Sequence, residues 1–322
     1  MSFRLSSSNE LTVIDRAIGM VVGSAYGDAL GARYEGLPFR ISANRIRFGR
    51  GLLFWRRPGR WTDDTDMSLA ILRVIERGTD LSSKQGELEV LEEWLKWYRL
   101  CPHIDMGLWT VRVLKRINSL EVITSDTART IAASLCHGKH TGGGNGALMR
   151  SGVVAISKIG RPIEAYKIAR SIASLTHRHT SALDAAGLWT VMCERAIFTG
   201  KIDLVELRRL NLPLVERLEM VKKAGNNGRR GWAVSTLLDA WWCVQSALAD
   251  SSSLSLIDKT VRFAIAAGGD TDTVASVAGA LAGALNGAAG VPDIARQIVY
   301  GGRWTGQEVT MIDLEKLVAS CI

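Results

Sequence analysis

The stretch IDRAIGMVVGSAYGDALGA, residues 14–32, has a glycine at every fourth position. Positions four apart lie on one face of an α-helix, so this face carries no bulky side chains. A second stretch, residues 273–291, is uncharged and repeats the same spacing. The glycines of the two stretches are Gly19, Gly23, Gly27, Gly31, Gly279, Gly283 and Gly287. Each helix can therefore approach a neighbour at backbone distance, and we expect a compact centre built from both ends of the chain.

The second stretch also resembles a membrane span, because GxxxG spacing in an apolar segment occurs where transmembrane helices meet. Asp270 and Asp272 stand at its start, however, and Asn286 interrupts it. A buried helix packed closely on its neighbours is the favoured interpretation, and no membrane association is expected.

The remainder of the chain predicts further helices. Apolar residues recur at helical spacing in residues 67–75, 88–98 and 234–242, and no run alternates convincingly as a strand does. The chain has 322 residues, of which 47% are hydrophobic and 22% charged. This composition excludes a largely disordered chain, a collagen and a coiled-coil rod. We predict one all-α domain over residues 1–322.

The cysteines and the first residues bear on the compartment. The five cysteines are scattered and form no CxxC pair, so neither a disulfide framework nor a zinc ribbon is indicated, and a reducing cytoplasm fits. Residues 1–10 are polar, so no signal peptide is expected and we predict a cytoplasmic protein. The formal charge of +8 favours phosphate-bearing partners.

Two clusters of acids and threonines each precede a predicted helix. They are Trp61-Thr62-Asp63-Asp64-Thr65-Asp66 and Gly268-Gly269-Asp270-Thr271-Asp272-Thr273. One such cluster is typical of a helix N-terminus, where Asp and Thr cap the backbone and acids complement the dipole. Two clusters in one core repel each other unless a cation lies between them. Oxygen ligands without His or Cys favour Mg²⁺, Mn²⁺ or Ca²⁺ over zinc. Two such ions sharing carboxylates would make a site that holds phosphate or polarises a water.

Two further segments are candidates for substrate binding. The segment from Gly142 to Arg150 is rich in glycine, which lets backbone N–H groups approach phosphate oxygens. It lacks the Gly-Lys-Ser/Thr of a Walker A motif and no strand precedes it, so a functional loop and a plain turn both stay open. The segment Thr176-His177-Arg178-His179 has no third metal ligand of matching type nearby, which favours a hydrogen-bonding or substrate-facing His177 over zinc.

The segment Arg33–Arg60 is strongly basic. It holds eight arginines and a single acid, Glu35, with aromatic residues at Phe39, Phe48, Phe54 and Trp55. Such a pattern indicates either a patch for an anionic partner, nucleic acid included, or a solvated loop whose aromatic residues anchor it to the core. The sequence leaves both interpretations open.

Five motifs, in order along the chain, resemble those of the ADP-ribosylglycohydrolase family. They are Gly27-Asp28-Ala29-Leu30-Gly31 with Glu35, then Trp61-Thr62-Asp63-Asp64-Thr65, Asn145-Gly146 with Met149-Arg150, Thr176-His177, and Gly268-Gly269-Asp270-Thr271-Asp272-Thr273. The resemblance spans about residues 14–290. It implies a compact all-α orthogonal bundle around a central binuclear Mg²⁺ or Mn²⁺ site.

The resemblance also implies roles for individual residues. The implied metal ligands are Thr62, Asp63, Asp64, Asp270, Asp272 and Thr273. The residues implied to hold ADP-ribose are Gly143, Gly144, Asn145, Gly146 and His177. Asp64 or Glu35 would act on the attacking water, and Asp105 would face the guanidinium of the modified arginine. The segment Asp105-Met106-Gly107 has Met where arginine-specific members usually have Ile.

The activity implied is metal-dependent removal of ADP-ribose from modified arginine side chains of proteins. Alternatives within the family are hydrolysis of a serine, ester or nucleic-acid linkage. A third interpretation is an immunity protein that neutralises an ADP-ribosylating toxin by hydrolysis, by direct binding through Arg33–Arg60, or by both. A binding protein without catalysis is disfavoured because the metal motifs are intact.

Overall fold

The computed structural model describes residues 12–37, 40–49, 57–101, 106–138, 141–224 and 230–322. Regular structure in these ranges is almost entirely helical. The α-helices are α1 (Val13–Gly31), α2 (Asp63–Glu76), α3 (Lys84–Leu100), α4 (Leu108–Asn118), α5 (Ser125–Ser134), α6 (Pro162–Ser174), α7 (Thr180–Thr199), α8 (Leu204–Arg209), α9 (Val215–Glu219), α10 (Ala233–Ala249), α11 (Leu256–Ala267), α12 (Thr271–Asn286), α13 (Asp293–Ile298) and α14 (Met311–Ser320). Short 3₁₀ helices lie at Ala43–Arg45, Asn145–Ala147, Gly152–Lys158, Ala288–Gly290 and Arg303–Thr305. The all-α prediction is confirmed.

The extended structure described is one antiparallel pair near the C-terminus, β1 (Tyr300–Gly301) and β2 (Val309–Thr310). The helices predicted from apolar spacing correspond to α2, α3 and α10, and the two stretches with glycine spacing correspond to α1 and to most of α12 with the turn after it. Local chemistry sets the bounds of α2, because the Thr62 side chain caps its first turn and Gly78, at φ +76°, follows its end. A single domain over residues 1–322 stays a prediction.

Helices α1 and α12 pack antiparallel at backbone distance in the core. A Cβ placed on Gly23 would overlap the carbonyl oxygen of Gly279, and one on Gly19 would lie 2.6 Å from the carbonyl carbon of Gly287. The hydroxyls of Ser24 and Ser276 lie 2.9 Å apart in the same interface. The predicted close approach is confirmed, and it places the end of α1 beside the start of α12.

Helix α12 lies almost entirely in the interior. Its residues from 271 to 285 are buried against other parts of the protein. None of the described helices is both long enough and apolar enough to cross a bilayer. The interpretation of residues 273–291 as a buried helical stretch therefore holds over the part that α12 covers.

Candidate active site

Asp28, on the last turn of α1, holds the start of α2 in place. Its buried carboxylate accepts hydrogen bonds from the backbone N–H groups of Thr62 and Thr65, at 3.0 Å each, and from their hydroxyls at 2.8 and 2.6 Å. Burial raises the pKa of Asp28 to about 6, and these hydrogen bonds oppose the rise. The Thr-Asp-Asp-Thr segment is thereby fixed against α1.

Three segments bring carboxylates together at this point. Glu35 follows α1, Asp63 and Asp64 form the first turn of α2, and Asp270 and Asp272 lie at the start of α12. One carboxylate oxygen from each of Glu35, Asp270 and Asp272 lies within 4.8 Å of the other two. We call these five residues the acidic cluster.

The acidic cluster is electrostatically strained as it stands. Burial raises the pKa of Asp64 well above its usual range, and repulsion from Asp28, Asp63, Asp270 and Glu35 adds to the rise. Burial and the same kind of repulsion, led by Glu35, raise the pKa of Asp272. Carboxylates crowded in this way are stabilised by a bound cation.

The oxygen atoms around Asp64 fit a hard cation. Its Oδ1 is buried and has no hydrogen-bond partner among the described residues. Its Oδ2 lies 3.4 Å from the hydroxyls of both Thr62 and Thr273. An orphaned buried carboxylate oxygen beside two hydroxyl oxygens and further carboxylates is the donor set that Mg²⁺ or Mn²⁺ prefers. The number and identity of the ions stay a prediction.

Asp66 belongs to the same motif but serves the fold. Its carboxylate accepts hydrogen bonds from the indole N–H groups of Trp61, at 2.8 Å, and Trp97, at 3.1 Å. It also accepts the backbone N–H of Gly302 at 3.1 Å. Asp66 therefore links α2 to α3 and to the loop after β1, and it is not part of the acidic cluster.

The glycine-rich segment forms one wall beside the acidic cluster. The amide of Asn145 donates to Asp270 Oδ2 at 2.7 Å, and its backbone N–H donates to the carbonyl of Gly231 at 2.9 Å. Gly143 has no room for a side chain, because a Cβ there would lie 2.8 Å from Cζ2 of the Trp232 ring. These contacts join the segment directly to the residue before α12 and to the loop before α10, and its role in substrate binding stays a prediction.

His177 lies buried against the same wall. Its Nδ1 is 2.8 Å from the hydroxyl of Thr176, whose carbonyl accepts the Trp109 indole N–H at 2.8 Å. Burial lowers the pKa of His177 well below its usual range, and the positive charge of Arg150 adds to the effect. Both effects favour the neutral form of the imidazole.

A cavity of about 240 Å³ joins the acidic cluster to the glycine-rich wall. The residues that line it are Glu35, Asp63, Gly107, Leu108, Trp109, Thr110, Gly144, Asn145, Gly146, Met149, His177, Gly231, Asp270, Asp272 and Thr273. The structure therefore brings together most of the residues that the sequence selected. Thr62, Asp64 and Gly143 are not among the lining residues. Thr62 and Asp64 contact each other, and Gly143 packs on Trp232.

Asp105 lies outside the described residues, which resume at Met106. The backbone N–H of Gly107 donates to Asp63 Oδ2 at 3.3 Å, so the chain that follows Asp105 contacts the acidic cluster. The role of Asp105 stays a prediction.

Part of the basic segment Arg33–Arg60 is tied to the core. Arg33 donates to the carbonyls of Arg47, at 3.1 Å, and Phe48, at 3.0 Å. The Phe48 ring packs on Tyr26 with ring centroids 6.0 Å apart. These contacts favour an anchored loop for the described part. Phe39, Arg50, Phe54, Trp55 and Arg56 lie outside the described residues, and binding of a toxin, an acidic partner or nucleic acid stays a prediction.

Two supporting residues have roles that sequence reasoning did not assign. Asp28 was visible as an acid inside an otherwise apolar helix, which is a sign of a buried hydrogen-bonding role. Arg150 closes the glycine-rich segment, but nothing in the sequence indicated that it is buried or that its partner is Thr176.

The fold and the site together define a known class. A family model described as ADP-ribosylglycohydrolase matches residues 9–320, so the chain belongs to the ADP-ribosylglycohydrolase family. Membership supports hydrolysis of a bond to ADP-ribose as its activity. A solved structure titled ADP-ribosylglycohydrolase-related protein complex matches with a TM-score of 0.71 and 26% identity, covering 96% of this chain and 97% of that one.

Relatives with individual names support the same class. The chain is 28% identical to the ADP-ribosyl-dinitrogen reductase glycohydrolase of Rhodospirillum rubrum, over 87% of this chain and 89% of the relative. It is 25% identical to the ADP-ribosylarginine hydrolase Tri1 of Serratia proteamaculans (strain 568), over 87% and 74%. It is 24% identical to the ADP-ribosylhydrolase ARH3 of Gallus gallus, over 85% and 86%.

Proposed function

We propose that this protein is a metal-dependent hydrolase that removes ADP-ribose from modified arginine side chains of proteins. The observation that carries the proposal is that four of the five residues of the acidic cluster line one cavity with the glycine-rich wall and His177. The arginine linkage is favoured because a relative is named an ADP-ribosylarginine hydrolase and because the chain contains Asp105 in the position that the resemblance gives to an arginine-facing acid.

The cation ligands would be Thr62, Asp63, Asp64, Asp270, Asp272 and Thr273. Two Mg²⁺ or Mn²⁺ ions held there would supply charge that orients hydroxyl groups of the ribose and lowers the pKa of a bound water. The acidic cluster would then be neutralised in the working enzyme.

The remaining residues bind and orient the ADP-ribose. Gly144 and Gly146 present no side chains to the cavity, so the diphosphate can approach the backbone closely. Asn145 holds this wall against Asp270, which sets the distance between the diphosphate and the acidic cluster.

The bond to be broken joins C1″ of the ribose to a side-chain nitrogen, and C1″ gains positive charge as that nitrogen departs. Two acids commonly divide the proton transfers of glycoside cleavage. Glu35 or Asp64 is suited to take the proton from water, because both belong to the acidic cluster. Asp105 would supply the proton to the departing nitrogen.

Release of ADP-ribose from an arginine-ADP-ribosylated protein tests the proposal, in Mg²⁺ and then in EDTA. We expect release in Mg²⁺ and none in EDTA. Asp272→Asn should reduce release by at least about a hundredfold, because it removes a ligand charge. Asp313→Asn is the matched control, since Asp313 caps α14 at the surface. Release that is insensitive to EDTA, or full activity in Asp272→Asn, would contradict the proposal.

Hydrolysis of another ADP-ribose linkage is the second candidate. Hydrolases named ARH3 match over a similar share of the chain, and that name specifies no linkage. A serine-linked substrate, assayed beside the arginine-linked one, separates the two. Release from serine alone would favour the second candidate and would leave Asp105 without its proposed target.

A further inference from the structure

A buried arginine lies behind the glycine-rich wall. Arg150 is 1% exposed, and its guanidinium stacks over the Trp94 ring at 4.0 Å from the centroid. Its Nη1 lies 3.3 Å from the Met67 sulfur, and its Nε has no hydrogen-bond partner among the described residues. Burial lowers the pKa of Arg150 to about 9, and attraction to Asp63 offsets only part of the cost of this buried charge. An apolar side chain would pack there at lower cost. The charge therefore calls for another explanation.

Arg150 begins a short chain of hydrogen bonds. Its Nη2 donates to the hydroxyl of Thr176 at 2.5 Å, and that hydroxyl lies 2.8 Å from His177 Nδ1. A guanidinium can only donate, so the Thr176 oxygen accepts from Arg150 and directs its own proton to Nδ1. A proton on Nδ1 would instead leave the buried Thr176 hydroxyl proton without this acceptor. A neutral imidazole that accepts at Nδ1 carries its proton on Nε2.

The other edge of the imidazole faces the cavity. A methyl group placed on Gly146 would lie 3.5 Å from His177 Nε2, and one placed on Gly144 would lie 3.6 Å from it. All three residues line the cavity. The proton on Nε2 therefore points to the space between two glycines, where a ligand oxygen can approach.

We propose that Arg150 and Thr176 are positioning residues that hold His177 as the Nε2–H tautomer, so that it donates a hydrogen bond to an oxygen of the ADP-ribose group. The identity of that ligand rests on the proposed function, but the tautomer does not. Burial and the nearby guanidinium both favour the neutral ring, which is consistent with a donor that has one proton to give.

The tautomer is measurable without substrate. Long-range ¹H–¹⁵N correlation spectra of ¹⁵N-histidine-labelled protein distinguish Nδ1–H, Nε2–H and charged rings, and loss of signals in His177→Gln assigns His177. We expect wild-type His177 to show a protonated Nε2 and an unprotonated Nδ1. A protonated Nδ1, or a charged ring, in the wild-type protein would overturn the proposal.

The decisive variant removes the Thr176 hydroxyl, which connects Arg150 to His177; we call this chain of hydrogen bonds the relay. Thr176→Val keeps the shape but removes the hydroxyl, and we expect the Nδ1 shift to move towards a mixture of tautomers. Thr176→Ser should restore the wild-type spectrum. Thr190→Val is the matched control, because Thr190 is as fully buried and its hydroxyl bonds the carbonyls of Ser151 and Ala186 instead. An unchanged His177 spectrum in Thr176→Val would overturn the proposal.

Arg150→Met tests the hydrogen bond from Arg150 to the Thr176 hydroxyl. It also provides a second variant of the relay in case Thr176→Val does not fold. We expect it to be at least as thermally stable as wild type, with the His177 tautomer mixed as in Thr176→Val. A wild-type tautomer in folded Arg150→Met would remove Arg150 from the relay.

Binding of free ADP-ribose, measured by calorimetry, gives the functional consequence. We expect Thr176→Val to bind about tenfold more weakly and Thr190→Val to bind like wild type. Equal affinity in Thr176→Val and wild type would contradict the relay. Failure of wild type to bind ADP-ribose would contradict the proposed function instead, and the spectra would still decide the tautomer.

Discussion

Two glycine-to-alanine variants of α1, compared with each other, test whether the contact between α1 and α12 assembles the acidic cluster. One adds a methyl group near the cluster, and the other adds a methyl group far from it. In Gly31→Ala the new Cβ would lie 2.5 Å from the carbonyl oxygen of Thr271 and 2.6 Å from the Asp272 Cα. Real Cβ atoms essentially never come within 3.0 Å of another heavy atom in this way, so the backbone must move by about 0.5 Å or more. The atoms that move belong to the segment that carries Asp270 and Asp272.

Gly19→Ala is an equally crowded change in the first half of α1, beside the end of α12. Its Cβ would lie 2.6 Å from the carbonyl carbon of Gly287 and 2.9 Å from the backbone nitrogen of Ala288. The two glycines are separated by twelve residues, which is about 18 Å along a helix. Both variants therefore introduce a similar steric overlap between α1 and the α12 region. The overlap lies near the acidic cluster in Gly31→Ala and far from it in Gly19→Ala.

The expected losses of stability are similar. Overpacking of this kind costs about 1–3 kcal/mol, and the better helix propensity of alanine offsets at most about 1 kcal/mol. We expect both variants to melt a few degrees below wild type. The expected activities differ, because a displacement near 1 Å at reacting groups can lower activity about a hundredfold. The displacement of about 0.5 Å or more is part of that distance, so Gly31→Ala should lose about ten- to a hundredfold in kcat/KM, whereas Gly19→Ala should stay within about threefold of wild type.

The assay is metal-dependent ADP-ribose release, measured on protein whose folded fraction is known from thermal melting. Titration of Mg²⁺ by calorimetry provides a second measurement that needs no substrate, and only Gly31→Ala should bind the ion more weakly. Equal losses of activity in the two variants, with both folded, would refute the reasoning. Wild-type activity in Gly31→Ala would refute it as well.

Two further changes separate the acids of the Trp61–Asp66 motif. Asp64→Asn should raise the melting temperature of metal-free protein at pH 7.5 and weaken the stabilisation by Mg²⁺, both measured by thermal melting. Burial and neighbouring carboxylates raise the pKa of Asp64 in the folded state, so its charge destabilises the fold above that pKa, and this penalty fades as the pH falls towards the unfolded value. The advantage of the variant should therefore shrink on acidification; an advantage that grows would be inconsistent with the raised pKa. Asp66→Asn should lower the free energy of unfolding by about 1–3 kcal/mol, because the Trp97 indole loses its acceptor. Chemical unfolding measures that loss, and Mg²⁺ affinity should be unchanged; weaker binding in folded protein would instead make Asp66 a ligand.

The sequence was sufficient to predict features that depend on the residue spacing within a single helix. Apolar spacing predicted α2, α3 and α10, and the glycine spacing predicted two faces able to pack at backbone distance. It could not pair Gly31 with Asp272 or Asp28 with Thr62, because such pairs lie 34 or more positions apart and follow from the fold rather than from local periodicity. The tie between Asn145 and Asp270 was hidden for the same reason.

The positions of the carboxylate oxygens bear on the competing interpretation of the acid clusters as helix caps, and they favour a cation site. Thr62 does cap α2, since its side chain accepts the Asp64 backbone N–H. Asp270 occupies the N-cap position of α12 but makes no capping hydrogen bond, and its Oδ2 accepts the Asn145 amide instead. Asp64 leaves a buried oxygen without a partner among the described residues. A cap stabilises its helix by using its oxygen on that helix, whereas these two carboxylates forgo that gain and repel each other. This arrangement costs the fold stability at the start of α2 and at the start of α12. Such a cost is expected where the acids bind a cation, so metal binding is the first property to test.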